Sequence, residues 1–345
     1  MHDERRDDPR LSELRTWLRE GLRFGEFALA PASADASFRR YFRVSRPGGS
    51  SLIVMDAPPD RENLDPYLRV AEMLGEIGVH APRVLERNME AGFLLLTDLG
   101  SLTYLRALEK GGRADALYGD AIDALVEIQV RGARQAKKLP QYTAKLLRFE
   151  MGLFPDWLLA RHLGLALDAD EAAKLAQVMD LLAESALAQP RVFVHRDYHS
   201  RNLMVCAGGN PGILDFQDAV QGPLTYDLVS LLRDCYIAWP AEKVREWIAA
   251  YCRRAESQGL ELAGDDAQFA RWFDLMCAQR HLKTSGIFCR LWYRDGKPGY
   301  LDDIPRTLGY VREAASRHAD LATLVDLLDR HVLPRLAERR SAVAT

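Results

Sequence analysis

The chain has 345 residues and a mass of 38.9 kDa, more than twice a common domain length, so two domains or one large two-lobed unit is expected. Hydrophobic residues make up 48% and charged residues 28%, which excludes a mostly disordered or fibrous protein. The 46 Lys+Arg against 49 Asp+Glu, a formal charge of -3, leaves no bulk field to recruit nucleic acid or an anionic membrane.

The first ten residues are charged where an export signal needs an apolar segment. Asp8 and Pro9 then open a helix, in cap and first-turn positions, with Leu11, Leu14, Leu18 and Leu22 on one face. Residues 36–57 change period: an aromatic and arginine-rich run (37–44), a turn at ArgProGlyGly (46–49) and SerLeuIleValMetAsp (51–56) predict an antiparallel hairpin. A helix is predicted over 61–77, with Leu64, Leu68, Ala71, Leu74 and Ile77 at helical spacing and Gly78 as its stop. Two strands follow at 83–86 and 92–97. Beyond about residue 101 the pattern is helical, apart from a β-rich island at 192–216.

This order predicts an α+β, two-lobed architecture, with a β-rich N-lobe at 1–98 and a large, mostly helical C-lobe at 99–345. AspLeuGly (98–100) is the hinge between them. No apolar run reaches the roughly 18 residues a membrane-spanning helix needs. Cys206, Cys235, Cys252, Cys277 and Cys289 form an odd set without a CxxC pair. Reduced thiols in a cytoplasmic protein fit that set better than disulfides or a zinc cage.

The strongest chemical signal is HisArgAspTyrHisSerArgAsn (195–202), an HxDxxxxN pattern, followed by AspPheGlnAsp (215–218). The first pattern alone should occur by chance in roughly four per cent of chains this long. Each segment ends a short apolar strand, however, and a β-rich lobe lies upstream. Phosphoryl transfer from ATP needs one carboxylate at the attacking hydroxyl, and a carboxylate with an amide oxygen to hold Mg2+ on the phosphates. Asp197, Asp215 and Asn202 supply those three groups.

These segments, with GlyProLeuThrTyrAspLeu (222–228), resemble the aminoglycoside phosphotransferase and choline kinase-like family, and the resemblance spans nearly the whole chain. It implies a protein-kinase-like fold using ATP and Mg2+, with Asp197 as catalytic base, Asn202 and Asp215 as metal ligands, and Asp227 as a buried brace of the catalytic loop. It places adenine against the backbone of Thr97, Asp98 and Leu99, and Ser37 near phosphate. Serine-rich AlaSerAlaAspAlaSer (32–37) lacks the glycines of a protein-kinase loop, and Met55 stands where kinases carry a phosphate-binding lysine. Arg40 or Arg43 is the expected replacement, since a guanidinium is a fixed, bidentate phosphate partner. Strand alternation puts Arg39, Tyr41 and Arg43 on one side and Phe38, Arg40 and Phe42 on the other. Glu72 is the candidate acidic partner.

Finer matches at 37–44, 195–204, 215–223 and 294–297 are similar to a branch of that family acting on amino sugars in cell-wall recycling. They imply a small-molecule acceptor, N-acetylmuramic acid or N-acetylglucosamine, phosphorylated at its anomeric hydroxyl, and no nucleic-acid, membrane or obligate protein partner. Acceptor-site candidates are Gln217, Asp218, Arg233, Trp239, Arg280 and Arg294, with His281 and Trp292 nearby.

Alternatives are another alcohol acceptor in the same family, a silent nucleotide-binding protein motivated by Met55, and a metal hydrolase built on His195 and His199. A protein kinase is disfavoured because no AlaProGlu segment follows Asp215, and P-loop and Rossmann signatures are absent.

Overall fold

The computed structural model describes residues 8–34, 38–49, 51–262 and 264–343. The chain forms two compact units: Met1–Thr103 with Met204–Asp218, and Tyr104–Leu203 with Ala219–Thr345. The first boundary therefore falls at Thr103 rather than at residue 98. Met204–Asp218 groups with the N-terminal unit, although sequence order assigns it to the helical one. Backbone pairing explains this: Thr103 bridges Met204, Val205 N donates to Leu102 O at 2.8 Å, and Ile213 N donates to His80 O at 2.8 Å.

In the first unit, Asp8 caps helix α1 (Pro9–Thr16) as predicted, its carboxylate accepting from Arg10 N and Leu11 N. The helix runs on into a wider turn, Trp17–Gly21. Leu14 and Leu18 are fully buried against Val44, Val54, Phe93 and Leu95, while Leu11 and Leu22 are half-buried.

Five strands, β1 (Ala28–Ala34), β2 (Arg40–Ser45), β3 (Leu52–Asp56), β4 (Val84–Asn88) and β5 (Phe93–Thr97), form an antiparallel sheet in the order β1-β2-β3-β5-β4. Strand β1 has no counterpart in the sequence prediction. Its small residues and Pro31 carry little strand propensity, and it holds an edge by pairing with β2, with an irregularity between Pro31 and Ser33. Helix α2 (Asp65–Ile77) starts later than position 61, with Pro66 in its first turn, and stops at left-handed Gly78. It buries Tyr67, Val70, Met73, Leu74 and Ile77, and Leu68 and Ala71 are only half-buried.

Register fixes the two faces of the sheet. Phe42, Val44, Val54 and Phe93 share the face packed on α1, together with Arg40 and Asp56. Tyr41, Met55 and Leu94 lie in register on the opposite face, as the alternation predicts.

The second unit is mostly helical, with an antiparallel pair of strands, Arg191–Val194 and Val220–Pro223. Its longest helix, Asp266–Asp295, packs against Ala144–Leu153, Ala169–Leu187 and Ile304–Ala315. Gly286 permits the closest of these approaches, because a Cβ there would lie 2.3 Å from the Leu153 carbonyl. A five-stranded sheet in one unit and a chain 57% helical overall make the fold α+β. Among the described residues, no helix is long and apolar enough to cross a membrane.

One buried charge holds α1 to the sheet. Asp56, fully buried, accepts from Arg10 Nε at 2.8 Å and from Arg40 Nε at 2.9 Å. Arg40 also pairs with the capping Asp8, and Arg10 donates to Ala91 O at 2.7 Å. Replacing the carboxylate leaves two guanidinium groups without their shared acceptor. Asp56→Ala is expected to cost about 2–4 kcal/mol in urea unfolding; a loss below about 0.5 kcal/mol would show the network to be a solvated surface feature.

Candidate active site

In the second unit, strand Arg191–Val194 ends at His195 and the chain turns sharply. Arg196 adopts a left-handed conformation, φ 79°, which is strained for a residue with a Cβ. Asp227 compensates: fully buried, it accepts His195 N at 2.6 Å and Arg196 N at 2.9 Å. This is the bracing role expected of it. Burial pushes the Asp227 carboxyl up to about 7, against the pull of those two amides. A second buried carboxylate, Asp234, accepts Ser200 N at 2.9 Å and Tyr236 N at 2.8 Å, pinning the far end of the loop. No periodicity marks Asp234, which follows the end of a short buried helix.

Between these braces sits Asp197. Burial works to raise its pKa, but Lys283, His199, Arg196 and Arg280 outweigh it and hold the carboxyl below its ordinary value. Asp197 is therefore ionised at neutral pH and able to accept a hydrogen bond from an alcohol. Buried Glu150 steadies two of those cations: it pairs with Arg196, lies 3.1 Å from Lys283 Nζ, and accepts from Tyr142. Glu150, Lys283 and Tyr142 lie on helices and loops distant in sequence, where no motif could point to them.

Asn202 donates its amide nitrogen to Asp197 O at 3.0 Å, so its Oδ1 is the end able to meet a cation. His195 accepts from Asp197 N at 3.2 Å and packs edge-on against Tyr198, while His199 packs edge-on against Tyr236. Both are part of the loop's packing. Among the described residues, no group of three His, Cys, Asp or Glu gathers that could hold a metal.

In the first unit, Asp215 also adopts a left-handed backbone, φ 61°, and its Oδ1 accepts from Gln217 Nε2 at 2.8 Å. Phe216 is fully buried and packs on Tyr67 with centroids 4.8 Å apart. Arg39, nearly buried, donates Nε to Glu62 at 3.1 Å and lies within the electrostatic reach of Tyr41 and Asp215. Gly212 closes the base of this region: a Cβ there would lie 2.8 Å from both Cys206 Sγ and Leu99 Cδ1.

Asp215, in the first unit, offers a hard carboxylate oxygen, and Asn202, in the second, a carboxamide oxygen; each is a donor of the type that Mg2+ takes.

Residues 28–268 match the model of the family described as "Phosphotransferase enzyme family". The chain belongs to that phosphotransferase family. A protein of Pseudomonas aeruginosa named N-acetylmuramate/N-acetylglucosamine kinase is 48% identical over 332 residues, 93% of this chain and 97% of its own. One of the same name from Neisseria meningitidis is 45% identical, over 92% of this chain and 94% of its own. Among solved structures, choline kinase LicA from Streptococcus pneumoniae superposes with a TM-score of 0.62 at 12% identity, covering 88% of this chain and 99% of that one. Aminoglycoside phosphotransferase APH(2'')-Ib does so at 0.57 and 13%, over 88% and 98%. At such identities these two establish the kinase-like fold alone.

Several expected ligands of this phosphotransferase need correction. Arg40 and Arg43 are both held by carboxylates: Arg40 by Asp56 and Asp8, Arg43 by Asp98 at 2.5 Å and by Gly100 O. Neither is poised for phosphate. Glu72 is exposed, and the acidic partner of the inward arginine is Glu62. Ser37 lies outside the described residues. Asp98 is engaged by Arg43 and by Ser51 at 2.6 Å, and Thr97 Oγ1 accepts Arg83 N at 2.9 Å, so both side chains are held within the first unit. Leu99 is buried beside them.

Of the acceptor candidates, Arg233 forks onto Glu313 at 2.8 and 3.1 Å, and Arg294 pairs with its neighbour Asp295. Trp239 donates to Tyr118 at 2.7 Å within an aromatic cluster. His281 is held between Cys277 O and Arg233 O, both at 2.7 Å. All four are engaged by partners within the chain, Arg294 on the exposed surface. Arg280 is buried beside Cys235 and acts on Asp197 through its charge. Gln217 holds Asp215, while Asp218 is exposed.

The Asp227 brace gives a pH-dependent expectation. A carboxyl raised from 3.8 to about 7 in the folded state contributes stability that is complete below pH 4 and fades as pH climbs through 7. Asp227→Asn keeps one acceptor oxygen but not two and should cost about 1–3 kcal/mol. Its deficit in melting temperature against the parent should narrow between pH 5 and 8; parallel curves would refute the raised pKa.

Proposed function

We propose that this chain transfers the γ-phosphate of ATP to the anomeric hydroxyl of N-acetylmuramate and N-acetylglucosamine in the cytoplasm, releasing ADP and the sugar 1-phosphate for cell-wall recycling. The observation that carries this reading is an ionised Asp197 on a strained, doubly braced loop, in a chain 45–48% identical along nearly its whole length to proteins bearing that name.

In this reading Asp197 accepts a hydrogen bond from the acceptor hydroxyl and aims its oxygen at the phosphorus. As the new O–P bond forms and the bond to the ADP oxygen breaks, the proton passes to Asp197 and from there to water. A depressed pKa makes Asp197 a weak base. An anomeric hydroxyl, more acidic than an ordinary alcohol, suits such a base better than choline's hydroxyl would. Asn202 and Asp215 are the proposed Mg2+ ligands, and the bound ion would offset charge on the transferring phosphoryl group.

Arg39 is the proposed stand-in for the lysine absent at Met55. It lies close to Asp215, and Glu62 fixes its guanidinium. The hinge backbone at 97–99 is the proposed adenine contact. Met55 also motivates a silent nucleotide-binding reading, in which a reactive, ionised Asp197 has no task.

Two measurements test the reading. ATP consumption is followed against N-acetylmuramate, N-acetylglucosamine, choline and an aminoglycoside, with phosphorus NMR locating the modified hydroxyl. Turnover should require an amino sugar, and Asp197→Asn should lower it by about 10²- to 10⁴-fold while ATP still binds; no turnover with any acceptor favours the silent reading. In calorimetric titrations, Asp215→Ala should remove the Mg2+ dependence of ATP affinity, and Arg39→Met should weaken ATP by about tenfold or more. Unaltered affinity in either variant withdraws that residue from the nucleotide site.

A further inference from the structure

The catalytic loop carries an arginine that none of these roles uses. Arg201 precedes Asn202 and follows Asp197 by four positions. Its guanidinium lies over the Tyr236 ring, 3.6 Å from the centroid, with the Tyr300 ring 5.5 Å away. Tyr236 is fixed by the Asp234 brace at its amide and by Phe288 and His199 at its ring, and Phe288 stacks in turn on Tyr300 at 5.5 Å. The cation thus rests on an aromatic shelf built for it, yet Arg201 itself is exposed.

Among the described residues Arg201 forms no ion pair. Asp303, whose field reaches it, is bonded to Arg306 at 2.9 Å. Stacking orients a guanidinium so that its N–H edge points away from the ring, the arrangement that receives a carboxylate through two parallel hydrogen bonds. An exposed cation costs little to maintain, and the pre-oriented bidentate fork is the geometry in which pairing with a carboxylate gains more than an ordinary surface contact.

We propose that Arg201, on its tyrosine shelf, recognises a carboxylate on the acceptor and thereby favours N-acetylmuramate, which carries a lactyl carboxylate, over N-acetylglucosamine, which does not. The proposal rests on the amino-sugar reading above. It also supplies a reason for the loop to disfavour cationic acceptors such as choline or an aminoglycoside, since Arg201 repels them.

The test is the ratio of kcat/KM for the two sugars. In Arg201→Met the preference for N-acetylmuramate should fall about 10- to 100-fold, the value of a bidentate, charge-assisted contact. Arg201→Lys should lose less, keeping the charge without the fork. A merely structural role would lower both sugars together and leave the ratio unmoved in both variants, which overturns the proposal. Raising salt should raise KM for N-acetylmuramate more than for N-acetylglucosamine in the parent, and this difference should vanish in Arg201→Met. A parent that turns over N-acetylglucosamine but not N-acetylmuramate sinks the proposal and leaves the amino-sugar reading standing; a parent inert to both removes both.

Discussion

The loop that carries Asp197 depends on one buried carboxylate. Asp227 receives two consecutive backbone amides, His195 N and Arg196 N, and so stabilises the left-handed turn at Arg196 that no side chain of that size adopts by preference. The turn sets the direction in which Asp197 leaves the strand. Asp234 repeats the device at Ser200 and Tyr236, so both ends of the loop are tied to buried acids. Two desolvated carboxylates are costly to bury, and each is tolerated because its oxygens are filled by amides that would otherwise lack partners.

Cations distributed around that loop then decide the protonation state of Asp197. Arg196 lies on the loop itself, Lys283 and Arg280 one turn apart on the helix Asp266–Asp295, and Glu150 keeps Arg196 and Lys283 from repelling each other. The consequence is a carboxylate kept charged despite burial. Such a group contributes more through orientation than through basicity, and it suits an acceptor whose hydroxyl is itself acidic. A net charge of -3 gives no hint of this, because the relevant field is local and nearly compensated within a few residues.

What could be read from sequence follows the range of the interactions. Asp197, Asn202, Asp215 and Asp227 sit in short segments where spacing alone encodes their relation, and the helix caps at Asp8 and Gly78 are local chemistry. Strand β1 was invisible because pairing with β2, not propensity, makes it a strand. The partners of the acceptor candidates are hidden for a different reason. An arginine or tryptophan in a helical stretch carries no mark of whether Glu313, Asp295 or Tyr118 waits for it, so Arg233, Arg294 and Trp239 looked like ligands until their partners were known. Arg201 went unremarked inside the most legible motif, since its meaning depends on Tyr236 and Tyr300, 35 and 99 residues further on.

Arg39 is our proposed replacement for the lysine that β3 lacks. Met55 is fully buried in register with Tyr41 and Leu94, so the position has become part of the sheet's packing and a charge there would be desolvated. Arg39 stands just ahead of β2, at the same end of the strand as the last pairing, Arg40 with Asp56. Its acid partner is Glu62, before α2 begins, and not the exposed Glu72 in the middle of that helix. A guanidinium suits that position better than an ammonium, because it holds Glu62 through Nε and carries further N–H donors in a fixed fork, whereas a lysine divides one point charge among all its partners.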